Sequence, residues 1–160
     1  MKAELTKEHQ WLQKLVGEWE YEFSEPARPG EQAALGKGTE TVRSLMGTWV
    51  VGEGRGSMGC NEDSITQITL GYDPNKGRFV GSWVGSMMTH LWIYEGDLDP
   101  TGKILTLHST GPSFHVPNTT SPYRDIIEFV TDDLRLLRSE TPDEQGQWKE
   151  FMRLPYRRKV

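Results

Sequence analysis

The stretch Gly54, Arg55, Gly56, Ser57, Met58, Gly59 spells G-x-G-x-x-G, a spacing that can bring backbone N–H groups up to a pyrophosphate. That chemistry requires the glycines to open a helix whose N-terminus faces the phosphates. Here they run into Cys60, Asn61, Glu62 and Asp63 and then into a β-patterned run from Ser64, so the sequence predicts a flexible loop between strands and no nucleotide site. Cys60 is a second candidate, as a nucleophile. A catalytic thiol needs a base and an electropositive setting, and the neighbouring Glu62 and Asp63 would instead raise its pKa. Ser82 and Ser86 each follow a glycine but lack the G-x-S-x-G elbow that would expose a hydrolase serine.

The four histidines, His9, His90, His108 and His115, show neither H-x-H nor H-x-x-x-H spacing, so no metal site is expected. Pairing of His90 with His108 across strands would depend on a hairpin register that a one-residue change reverses. Charged and polar residues within alternating runs are more informative: Glu53, Arg55, His90, Glu128, Arg138, Glu140 and Arg153. Inside a fold each costs several kcal/mol unless paired, so most must face water. Two or three converging inside would orient a polar ligand group or act as acid and base. Trp49, Trp83 and Trp92 fall mid-strand in three different strands, as core filler or as walls of an internal pocket.

These side chains must be positioned by strands. Leu5, Trp11, Leu12, Leu15 and Val16 follow helical spacing, with Thr6 as N-cap and Gly17 as stop. Near the helix's apolar face, His9 is expected to be packed and hydrogen-bonded. From Glu18 the period becomes two, with Gly, Pro, Asp and Asn every 8 to 14 residues or so. The predicted strands are Glu18 to Phe23, Gly38 to Leu45, Thr48 to Gly54, Ser64 to Tyr72, Arg78 to Ser86, Met88 to Leu98, Lys103 to Ser109, Tyr123 to Thr131, Leu134 to Glu140 and Gln147 to Leu154. Asp73 to Gly77 and Asp99 to Lys103 share a turn grammar of Asp and Pro first and Gly where φ turns positive. With no helical crossover the strands should be antiparallel, and closure into a barrel would remove exposed edges. Periodicity does not say which face is internal, since Met88 to Glu95 carries bulk on both.

Composition sets further bounds. The 160 residues fit a single domain, 1–160. Only 35% are hydrophobic, yet 6 Trp, 5 Tyr and 5 Phe are present, so large rings must supply much of the buried area. A net charge of -5 without a basic stripe argues against nucleic acid, and the run Arg157, Arg158, Lys159 reads as a solvated tail. Apolar runs are too short to span a bilayer and the first residues form no signal-peptide core, so a cytoplasmic protein is expected. The lone Cys60 requires no oxidising compartment.

Several blocks carry a resemblance: His9, Leu12, Leu15, Gly17, Trp19; Met46, Gly47, Trp49, Val50; Gly71, Tyr72, Asp73 with Phe79, Val80, Gly81, Trp83, Ser86; and Glu95, Gly96, Asp99 with Gly102, Lys103, Leu105, Thr106, Leu107. Together they resemble the bacterial domain of unknown function 1579, grouped with the calycins. The resemblance implies an all-β, up-and-down, lipocalin-like barrel of about ten strands with an internal cavity, and it implies no reaction. It also implies one cofactor alternative to none, a haem held by His90 or His115 as in one calycin branch. The leading expectation is a barrel binding a small apolar ligand, with Trp49, Trp83 and Trp92 as walls and Glu53, His90 and Arg138 as polar contacts. One alternative is an enzyme with Glu53 or Glu128 beside His90 or an Arg. Another is a filled barrel acting as a homodimerising interaction module.

Overall fold

The computed structural model describes residues 1–25, 34–58 and 61–160. A helix, α1 (Lys7–Leu12), tightens into a 3-10 turn over Gln13–Leu15 and leads into ten strands. These are β1 (Gly17–Glu25), β2 (Ala34–Leu45), β3 (Trp49–Met58), β4 (Asn61–Asp73), β5 (Arg78–Gly85), β6 (Trp92–Leu98), β7 (Ile104–Pro112), β8 (Thr120–Thr131), β9 (Leu134–Pro142) and β10 (Trp148–Arg158). Each pairs antiparallel with its sequence neighbours, and β1 closes on β10 through Trp19–Arg158 and Tyr21–Tyr156. The expected class, a closed up-and-down barrel with one short helix, is the one observed.

Local chemistry accounts for the connections. Asp73 Oδ1 accepts from the N–H of Asn75 (2.9 Å), and Gly77 (φ +64°) donates to the Asp73 carbonyl (2.8 Å). At the next long turn Asp99 Oδ1 accepts from the N–H groups of Lys103 and Ile104 at 3.1 and 3.0 Å. These bonds replace ladder partners that the turning backbone loses.

α1 plugs one end of the barrel. Its first turn is held by His9, whose Nδ1 accepts from the Thr6 N–H at 3.0 Å while its ring meets the edge of Tyr72. Trp11 packs edge-on against Phe79 and Phe129 and donates its indole N–H to the Gly102 carbonyl at 2.6 Å. Beneath it Trp19 is fully buried and donates to Leu15 O (2.9 Å). Burial of each such side chain is worth about 1.5–3 kcal/mol. Gly17 leaves the plug at φ +137°, where a Cβ would also lie 2.5 Å from Arg158 Nη1, so only glycine suits this corner.

Four expectations change. Arg157 and Arg158 are not a solvated tail: they end β10 paired with β1, and Arg158 donates to the carbonyls of Lys14 and Val16. Gly54 to Met58 belong to β3, because the sheet pairs them with β2 and β4 instead of leaving them as a loop; Gly59 and Cys60 lie outside the described residues. β6 begins at Trp92 and not at Met88, so His90 is outside the ladder and the register pairs His108 with Glu95. The strands predicted to end at Ser109 and to begin at Tyr123 both extend, since pairing continues to Pro112–Thr120 and leaves only 113–119 between them.

Candidate functional site

Beyond the plug, the inward positions stop filling the barrel and enclose a cavity of about 230 Å³. Aliphatic side chains line its middle, among them Val50, Ile68, Leu107 and Ile127, with Trp83, Tyr94 and Tyr156 between them. At the end away from α1 stand Met87, Met88, Trp92, Phe114, Tyr123 and Phe151. The rings support one another: Trp92 and Tyr123 meet edge-to-face at 4.9 Å, and Tyr123 packs against Phe114 at 5.5 Å. A register shift in β10 between Glu150 and Met152 turns both Phe151 and Met152 toward the cavity, which simple alternation would not allow. The six-membered ring of Trp92 lies against Gly111, where a Cβ would clash with the indole. Only glycine leaves the ring that position.

A group of polar side chains sits within this apolar wall. Arg135, 3% exposed, forms an ion pair through Nη2 with Glu40, and its guanidinium lies 4.6 Å from the Trp19 ring centre and 4.2 Å from that of Tyr156. Its Nε has no hydrogen-bond partner and is sealed from the cavity. Asp125 takes a hydrogen bond from Ser139 Oγ (2.6 Å) on one oxygen and one from the Tyr94 hydroxyl on the other. Burial raises its carboxyl above the usual range, and the two donated hydrogen bonds offset this in part. Burial also lifts the Tyr94 hydroxyl well above the ordinary tyrosine value, reinforced by the Asp125 charge, so Tyr94 stays a donor. The surface Asp125 leaves uncovered opens on the cavity.

Of the six residues expected to form the site, Trp83 and Trp92 line the cavity. His90 stands beside it: its ring meets Trp92 edge-on at 4.8 Å, and its Nε2 lies 3.0 Å from the Thr110 carbonyl. His115 is exposed. Trp49, Glu53 and Arg138 require correction, because all three face outward. Val50 and Gly54 point inward on β3, which sends Trp49 and Glu53 out; Arg135, Leu137 and Ser139 point inward on β9, which sends Arg138 out. Trp49 covers Gly71, Glu53 pairs with Arg55 at 3.0 Å, and Arg138 pairs with Glu128 at 3.2 Å, all on the outer surface. Glu53 and Glu128 thus each meet an arginine, as the enzyme alternative expected, but on the outer surface and not among the residues that line the cavity.

Sequence reasoning missed Glu40, Asp125, Arg135 and their hydroxyl partners. A signal was present: Tyr123, Asp125, Ile127 and Phe129 form an alternating apolar stripe broken by one carboxylate, and Arg135, Leu137, Ser139 repeat the pattern. Among the described residues no three His, Cys, Asp or Glu side chains gather as metal ligands, and no helix is long and apolar enough to cross a membrane.

Comparison with known proteins agrees with the barrel. The structure of the S-type phycobiliprotein lyase CPES from Guillardia theta superimposes with a TM-score of 0.55 over 99% of both chains at 14% sequence identity, a likeness of fold. No curated protein matches the chain. The family described as "Protein of unknown function (DUF1579)" matches residues 4–158, nearly the whole length, and the chain belongs to that family.

Proposed function

We propose that this barrel binds a small, mainly apolar molecule in its internal cavity. The carrying observation is the cavity itself: about 230 Å³ enclosed by rings and aliphatic side chains beyond a plug that is tightly packed. The rings and aliphatic side chains around that space offer an apolar molecule dispersion contacts and shelter from water. The fold neighbour's name, a phycobiliprotein lyase, is compatible with a barrel that handles a small molecule. Native mass spectrometry of the purified chain beside its denatured mass, with an absorption spectrum, tests the reading. A non-covalent mass excess is expected, and it should disappear in Thr66→Trp, which places an indole in the cavity from β4. Bare protein in both cases, together with no binding of apolar probes, would overturn it.

A second reading, a dimerising interaction module, draws on the outer face of β4, β5 and the approach to β6. Ile65, Val84, Leu91 and Ile93 are adjacent there and 42–57% exposed. Sedimentation showing only monomer across the micromolar range would remove it.

A further inference from the structure

We propose that the molecule held in the cavity is an apolar amine in its protonated form, with Asp125 as its counter-ion. This rests on the binding reading above and adds the chemistry of the ligand's head group.

Two carboxyl side chains, Glu40 and Asp125, and one guanidinium, Arg135, line the cavity. Arg135 is already engaged: Glu40 takes its Nη2, Trp19 and Tyr156 cover the guanidinium, and its Nε is closed off. Its charge is neutralised within the wall. Asp125 differs, because its partners Ser139 and Tyr94 are neutral hydroxyls. The wall thus carries one carboxylate more than it has cations.

A carboxylate offers about four acceptor directions, and the two hydroxyls use two. The remaining surface of Asp125 faces the cavity. An ammonium supplies both what is missing, a positive charge, and N–H donors for the open lone pairs. Trp83, Trp92 and Tyr123 stand around the same space, and aromatic rings are favourable neighbours for a cation that meets their faces. An anionic head would meet two carboxylates and a single guanidinium whose charge Glu40 already balances. An alcohol could donate a single hydrogen bond but would leave the charge unmatched. The position of the carboxylate within an apolar wall therefore selects a cation joined to an apolar body.

The test uses three probes with one ring system: 2-(aminomethyl)naphthalene, 2-naphthalenemethanol and 2-naphthoate, titrated calorimetrically into the full chain and into Asp125→Asn near neutral pH. The amine should bind at least about tenfold tighter than the alcohol, and the acid weakest. In Asp125→Asn the amine should lose about tenfold while the alcohol stays within about threefold, which also shows that the cavity is intact. Equal affinities for the three, a preference for the acid, or an amine preference that survives in Asp125→Asn would overturn the inference and leave the binding function standing. Failure of all three to bind up to about 1 mM would overturn both.

Discussion

The two ends of this barrel are built by the same alternation and from the same kind of residue, yet one is solid and the other hollow. At the α1 end, Trp11, Trp19, Phe79 and Phe129 touch one another, with ring centres 5.7–6.4 Å apart where they pair, and leave no space. At the other end Trp83, Trp92, Tyr123 and Phe151 stand around a cavity. Aromatic richness is common to both. What separates them is whether another element enters the lumen: α1 brings Trp11 and Leu12 into one end, and none of the described elements does so at the other. Polar groups follow the same division, because Glu40 and Asp125 have surface left to face only where space remains.

The sharpest way to break this comparison is to remove one ring from each end. Trp19→Ala should cost about 4 kcal/mol in a denaturant titration, since it deletes a fully buried indole that also covers Arg135 and Arg158. Trp83→Ala, at the cavity wall, should cost less than half as much; equal losses would mean that both ends are packed alike. Next in size is Arg135→Met, expected to destabilise by about 3 kcal/mol because Glu40 is left charged and enclosed. Adding Glu40→Leu should restore most of that loss, a coupling measured by a double-mutant cycle.

Asp125→Asn should act in the opposite direction, and only in part of the pH range. Burial raises the folded-state pKa of Asp125 above its unfolded value of about 3.9, so the unfolded chain gives up this proton first. The parent's stability therefore falls as pH rises from about 4 through the folded pKa. The variant escapes that penalty and should melt a few degrees higher than the parent near pH 8, with the gap closing toward pH 4. A gap independent of pH would show that the carboxylate is not confined. The smallest effect is expected outside the barrel: Glu53→Gln should change stability by under about 0.5 kcal/mol, because its ion pair with Arg55 is open to solvent. It should leave ligand affinity unchanged.

The two turns led by Asp73 and Asp99 were legible in sequence because their hydrogen bonds are made within five residues. The helix was legible for a similar reason, although its last turn tightens into a 3-10 turn capped by the extended Val16, just before the first strand begins at Gly17. The site was legible only by halves. Trp83 and Trp92 were found because any large ring mid-strand is a candidate wall, whereas Trp49, of the same type and in the same kind of position, faces water over Gly71. Arg138 was chosen where Arg135 is the buried cation, a difference of strand parity alone.

By itself the sequence determined the number of strands, their antiparallel order, most of the turns and the family, all of which depend on local spacing and residue type. The tertiary structure decided which face of each strand is interior, which end α1 fills, and hence that Asp125 lies within an apolar wall. These depend on closure of β1 onto β10 and on the register shift in β10, contacts between residues more than a hundred positions apart for the first and a broken alternation for the second. A period of two specifies that faces alternate, and only long-range pairing specifies which of them is inside.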